Sequence, residues 1–147
     1  MIYTILLIKM SSKAVKKLRR LHVGALPLVD HVMRRMGLRE VIAEFIPASG
    51  RESVPPADVL ALLVANLAVA KDPLYGLGQW VESLDLRALG QRKRPAARFN
   101  DDRFGRVLDK LHRADRASLT TSMAVSAINA FGVQIARIHN DSTSVKA

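Results

Sequence analysis

The sequence predicts a mostly α-helical domain that gives way, near its C-terminal end, to a single β-strand. Three observations predict this. Apolar residues recur near the 3.6-residue helical period through most of the chain. Residues that start and stop helices flank those stretches. After Gly132 the pattern changes to β-branched residues in near alternation, "VQIARIHND". Of the 147 residues 49% are apolar, enough to bury a core in one domain, or in one domain plus the start of another.

The opening "MIYTILLIKM" has its apolar stretch at Ile2 to Ile8, too short for a bilayer span and followed, not preceded, by basic residues. It reads as an edge strand or an N-terminal extension. In "LPLVDHVMRRMGLREVIAEFIP", Leu28, Val29, Val32, Met33 and Met36 mark one helix. Gly37 suits its stop, and Pro47 ends the short helix that follows. "SGRESVPPAD" is a loop, with Pro56 in the first turn of the next helix. That helix, "DVLALLVANLAVAK", is a run of about 12 apolar residues, well short of the ~20 that cross a membrane. A buried core helix is expected, with Asn66 facing a partner or a solvent edge.

"KDPLYGLGQW" breaks that helix and opens a short amphipathic segment up to Leu89. Gly90 and Pro95 make "GQRKRPAAR" a polar basic loop. "FNDDRFGRVLDKLHRAD" is the clearest helix: Asn100 is a natural N-cap, and Asp101 and Asp102 complement the positive end of the helix dipole. Phe104, Val107, Leu108 and Leu111 form its apolar stripe. Asp115 can cap a last helix running to Phe131, with Gly132 as terminator. That helix is mostly small and apolar, so it is expected to pack inside something. The predicted organisation is a basic extension over residues 1–17, a helical domain over 18–132 and a strand over 133–147.

The net charge is +10 and the pI about 10.7. A basic surface concentrates polyanions, and neutralising phosphates releases counterions, so nucleic acid is the expected partner. The charge is uneven. Lys9, Lys13, Lys16, Lys17, Arg19 and Arg20 form one run; Arg87, Arg92, Lys93, Arg94, Arg98, Arg103 and Arg106 form another. There is no cysteine, which excludes a disulfide framework and any thiolate metal site and fits a reducing cytoplasm.

Catalytic signals are sparse. Asp101 and Asp102 could be paired carboxylates, but their place at a helix start makes capping sufficient. The histidines at 22, 31, 112 and 139 show no ligand spacing, so no zinc site follows. His139 and Asp141 share one face of the terminal strand, either as part of a site or with His139 only packing. "GLGQW" lacks the glycine pattern of a phosphate loop, and "SLTTSMAVSA" has no base beside its hydroxyls. The last two helices allow a helix-turn-helix reader in which Arg103, Arg106 and Arg113 meet phosphates; a turn without glycine argues against it.

Two segments together carry a resemblance. "FNDDRFGRVLDKLHRAD", followed about 20 residues later by "ARIHNDSTSV", resembles bacterial insertion-sequence transposases of the DDE type, in the IS-four superfamily branch that begins with a helical domain of unassigned function. There a similar "N-D-D-R-x-G-R-x-L-D" helix precedes a strand reading "H-x-D-T-T-S". "LHVGALPLVDHVMRRMGLREVI" and "VPPADVLALLVANLAVAKDPLYGLGQWVE" are similar to its earlier segments, so the resemblance runs from about Leu18 to Val145. This chain has "DSTS" where the family usually has a second Thr, and Ser142 keeps the hydroxyl.

The resemblance implies that Asp141 is the first carboxylate of the DDE triad, on the first strand of an RNase-H-like core. Such enzymes hold two Mg²⁺ ions about 4 Å apart between three carboxylates and drive in-line attack on a phosphodiester. The family's second Asp and its Glu lie further downstream and are not in this sequence. Asp141 alone is an incomplete metal site. The expectation is therefore an N-terminal, truncated part of a transposase, inactive in strand cleavage by itself and with no stably bound Mg²⁺. Its implied partner is the DNA of the element's terminal inverted repeats, in the bacterial cytoplasm at the nucleoid, with no membrane involved. The basic residues expected to meet that DNA are Lys16, Lys17, Arg19, Arg20, Arg92, Lys93, Arg94 and Arg98. Two alternatives stay open: a free-standing basic DNA-binding regulator, and a helical piece that associates with itself or with a full-length transposase and inhibits it.

Overall fold

The computed structural model describes residues 21–91 and 95–134. Helix α1 (Leu26–Arg35) places Pro27 in its first turn, where a missing N–H is harmless, and buries Leu26, Asp30 and Met33 along one stripe. Gly37 takes a left-handed φ of 62° and serves both helices it separates. Its N–H closes on the Arg34 carbonyl at 3.0 Å, and its own carbonyl accepts from Val41 N–H at 3.0 Å. Helix α2 (Leu38–Phe45) buries Leu38 and Ile42 and stops before Pro47, as its sequence requires.

Helix α3 (Pro56–Val69) is the central post. It is apolar nearly all round, with Val59, Ala61 and Ala65 fully buried, which is the pattern of a helix enclosed by others. It packs against α1, α2 and α5. Asn66 departs from expectation: instead of facing an edge it is fully buried, and neither side-chain amide atom has a hydrogen-bond partner among the described residues.

A 3-10 turn, Leu74–Gly76, leads into α4 (Leu77–Ser83), which buries Leu77 and Val81. The amphipathic segment expected to run to Leu89 is interrupted at Leu84. That residue is extended and forms an isolated parallel bridge with His22. His22 N–H donates to the Ser83 carbonyl at 2.8 Å, and Asp85 N–H donates to the His22 carbonyl at 3.1 Å. A second 3-10 turn, Leu86–Leu89, then buries Leu86 and Leu89. A third, Ala96–Arg98, delivers Phe99 to the core at 1% exposure.

Helix α5 (Asp101–Arg113) starts as its sequence predicts, the Asn100 side-chain oxygen accepting Arg103 N–H at 3.0 Å. Phe104 and Val107 are buried, with Leu108 and Leu111 half-buried beside them. Helix α6 (Arg116–Phe131) is capped by Asp115, which accepts Ser118 N–H at 3.1 Å. It ends at Gly132, φ 60°, where Val133 N–H reaches back to the Ile128 carbonyl at 3.1 Å. Contrary to expectation, α6 is not enclosed: Leu119 is its one buried residue, and Val125 and Phe131 are exposed. It lies on the outside, held to the end of α1 by Ser126 Oγ donating to the Met36 carbonyl at 2.7 Å and Arg35 Nε donating to the Ala130 carbonyl at 3.0 Å.

The fold is thus mostly helical, with six α-helices and no strand among the described residues. The strand expected over 133–147 lies outside them except for Val133 and Gln134, and the N-terminal extension lies outside them entirely. No described helix is long and apolar enough to cross a membrane.

Candidate nucleic-acid interface

Charge is partitioned between the helical body and the rest of the chain. The described residues carry twelve Lys and Arg against twelve Asp and Glu, so the body is formally neutral. The whole excess of +10 falls on residues 1–20, 92–94 and 135–147. Of the residues expected to meet DNA, Lys16, Lys17, Arg19, Arg20, Arg92, Lys93 and Arg94 lie outside the described residues, as does Asp141. Arg98 is described. It is exposed on the third 3-10 turn, and its side chain makes no ion pair or hydrogen bond among the described residues.

The body fixes the points from which the two basic runs leave. The first run ends at Arg20, two residues before the His22–Leu84 bridge. The Arg92–Arg94 part of the second begins directly after Gln91, which is 7% exposed and donates from Nε2 to Asp58 Oδ1 at 2.7 Å; Arg87, Arg98, Arg103 and Arg106 of the same run lie on the body itself. Gln91 belongs to a polar network that crosses three helices. Asp30 on α1, 2% exposed, receives Arg34 Nε at 2.8 Å and Arg39 of α2 at 3.3 Å. Arg39 also donates to the Leu89 carbonyl at 3.0 Å and pairs with Asp58 of α3 at 3.3 Å. A buried carboxylate needs such compensation, because isolated burial of a charge is costly. Gly90 beside this network takes a left-handed φ of 73°, a conformation that favours glycine. The one local clue to this network in the sequence is the i, i+4 spacing of Asp30 and Arg34. Arg39, Asp58 and Gln91 meet only through tertiary packing, and no sequence pattern marks them.

A second polar cluster joins the loop before α3 to α5. Lys110 Nζ contacts Glu52, whose other oxygen accepts Ser49 N–H at 2.8 Å. The Lys110 ammonium first, and then the Ser49 hydrogen bond, lower the Glu52 carboxyl from 4.5 to about 2. Beside it Arg103 donates to Ser53 Oγ at 2.9 Å. The Arg87 guanidinium likewise holds Asp85 below its usual range, and the Ser118 hydroxyl does the same for Asp115.

Several hollows lie on the surface of the described residues. A polar one of about 380 Å³, lined by Tyr75, Glu82, Asn100, Asp101 and Asp102, sits at the start of α5. Asp102 makes a 3.5 Å contact with Arg106, and capping of α5 falls to Asn100. An almost wholly apolar hollow of about 390 Å³ lies between α1, α3 and α6, lined by Leu28, Val32, Met36, Val64 and Met123 among others. Its neighbour, about 410 Å³, involves His22, Trp80 and Leu84 and shares Ala68 with it. His22, His31 and His112 are exposed, and the described residues contain no group of three His, Cys, Asp or Glu able to hold a metal. For the helix-turn-helix reading, α5 and α6 are joined by Ala114 and Asp115 alone, and α6 offers no basic residue after Arg116.

These features define a mostly helical, charge-neutral body with cationic segments attached at fixed points. Residues 18–125 match a family described as a domain of unknown function, DUF4277, and the chain belongs to that family. No curated protein and no solved structure matches it.

Proposed function

We propose that the chain is the N-terminal helical part of a DDE-type transposase and that it binds the DNA of the element's ends. The observation that carries the reading is the charge partition. A neutral body contributes little non-specific attraction, whereas nine cations of the two runs, Lys9 to Arg20 and Arg92 to Arg94, leave it at anchored points. Phosphate contacts made by such runs give affinity and register without reading sequence. The family match is compatible with this reading and is silent on activity. Asp141 is the first triad carboxylate by resemblance. It lies outside the described residues, and those residues do not assemble a Mg²⁺ site of their own.

The test is binding of duplexes carrying the terminal inverted repeats of the element that encodes the chain, followed as salt rises. Contact with several phosphates makes log K fall with log salt by about 0.9 per phosphate. A flat response rejects DNA binding. Translation of the downstream nucleotide sequence tests the transposase part: strands carrying a later Asp and Glu support it, and their absence counts against it.

The apolar hollow between α1, α3 and α6 favours a second reading. With Leu28 66% and Val64 37% exposed in its lining, this surface suits a protein partner, either a second copy or a full-length transposase that the chain inhibits. Unchanged excision when the chain is added to the intact enzyme rejects the inhibitory role.

A further inference from the structure

We propose that one flank of α5, together with the loop that precedes α3, is a second DNA contact, made to the phosphate backbone of a duplex; it takes in Arg103 and Arg106 of the second basic run and is separate from residues 1–20 and 92–94. The inference rests on the DNA-binding reading above and adds a surface within the described body.

Arg103, Arg106, Lys110 and Arg113 stand at i, i+3, i+7 and i+10 of α5. At 3.6 residues per turn they fall within an arc of about 80° and extend about 15 Å along the helix. The arc borders the buried stripe of Phe104 and Val107, so the row is carried by a helix seated in the core. Arg51 joins it from the loop, which is fastened there by the Lys110–Glu52 ion pair and the Arg103–Ser53 hydrogen bond. Arg51 and Arg113 are exposed and have no ion-pair partner among the described residues; Arg106 has only the 3.5 Å contact with the exposed Asp102.

The rest of the surface sharpens the contrast. Counting Glu52, Asp102 and the bordering Asp109, this flank holds five cations and three carboxylates, while the remaining described residues hold seven cations and nine carboxylates. The neutral body is therefore polarised, with its positive side on α5. Four of the five cations are arginines, whose forked donors suit phosphate oxygens. In a duplex each strand offers a phosphate every ~3.4 Å of axis, so a row of ~15 Å can meet several. Single-strand binding would call for aromatic platforms. The most exposed aromatic side chain among the described residues, Tyr75 at 81%, lies instead against Asp101 and Asp102 at the acidic end of α5. Duplex phosphate is the partner this flank fits.

The experiment uses the full chain and a short duplex of arbitrary sequence, with anisotropy titrations across a range of salt. The variant R106Q/R113Q removes two surface charges without touching the core or the Glu52 cluster. The control K71Q/R35Q removes the same charge elsewhere on the body, at exposed residues of neither basic run. The salt slope is expected to fall by about 0.9 for each lost phosphate contact, so by up to ~1.8 in R106Q/R113Q, with the control close to the parent. If R106Q/R113Q keeps the parent's slope and affinity, the α5 contact is wrong while the DNA-binding reading stands. An equal fall in both variants also overturns it, because net charge then explains the effect. If the parent binds no duplex, both readings fail.

Discussion

Gln91 Nε2 donates to Asp58 Oδ1 at 2.7 Å across 33 residues of sequence, joining the root of the second basic run to the first turn of α3. Through Asp58 it is continuous with Arg39, Asp30 and the Leu89 carbonyl. The segment that bears Arg92, Lys93 and Arg94 therefore starts from a carboxylate network inside the body.

Replacing Gln91 by Leu removes a hydrogen bond to a charged acceptor at a site 7% exposed. Such bonds contribute about 1.5–3 kcal/mol, so Gln91→Leu is expected to lower urea stability by ~2 kcal/mol. An unchanged denaturation midpoint would show that the contact contributes nothing.

Asn66 invites the opposite change. Its side chain is fully buried with no hydrogen-bond partner among the described residues, which leaves the desolvation cost of the amide uncompensated. Asn66→Leu is expected to stabilise the fold by about 1–2 kcal/mol, read as a raised Tm. A lowered Tm would mean that the amide is satisfied by something the described residues do not supply.

Acid titration should register Glu52. Its folded pKa, about 2, lies below the ordinary value of 4.5. A depressed carboxyl stabilises the fold above its unfolded pKa and loses that contribution as pH falls through the folded one. The loss is thus expected between pH 4.5 and about 2. Chemical denaturation at a series of pH values should show a shallower acid slope for Glu52→Gln than for the parent; identical slopes would refute the pairing with Lys110.

Neutralising the two basic runs should separate binding from folding. Changing Lys16, Lys17, Arg19, Arg20, Arg92, Lys93, Arg94 and Arg98 to Gln removes eight charges. Heparin retention and the salt slope of duplex binding are expected to drop sharply. If both stayed at parental values, these runs would not be the phosphate contact.

Much of the helical framework was legible because its signals are local. Asn100, Asp115, Pro56 and Gly132 act where the sequence puts them, each by satisfying or sparing backbone groups within one turn. What escaped depends on distant partners. The break at Leu84 is made by His22, some sixty residues earlier, and nothing near Leu84 announces it. Helix α6 is rich in small apolar residues, as an enclosed helix would be, yet it sits on the outside; composition records what a face can bury, not what is there to cover it. The charge runs were legible as composition, but the neutrality of the body emerged only once its extent was known.

The short pairing of His22 with Leu84 has a consequence for how affinities combine. It fixes the point at which the chain enters the body, so residues 9–20 are covalently joined to it at a set place. If the body and that run both contact one polyanion, the second contact is a unimolecular event, and the two affinities multiply instead of adding. A protease cut between Arg20 and Leu21 would then leave every chemical group in the tube and abolish that gain.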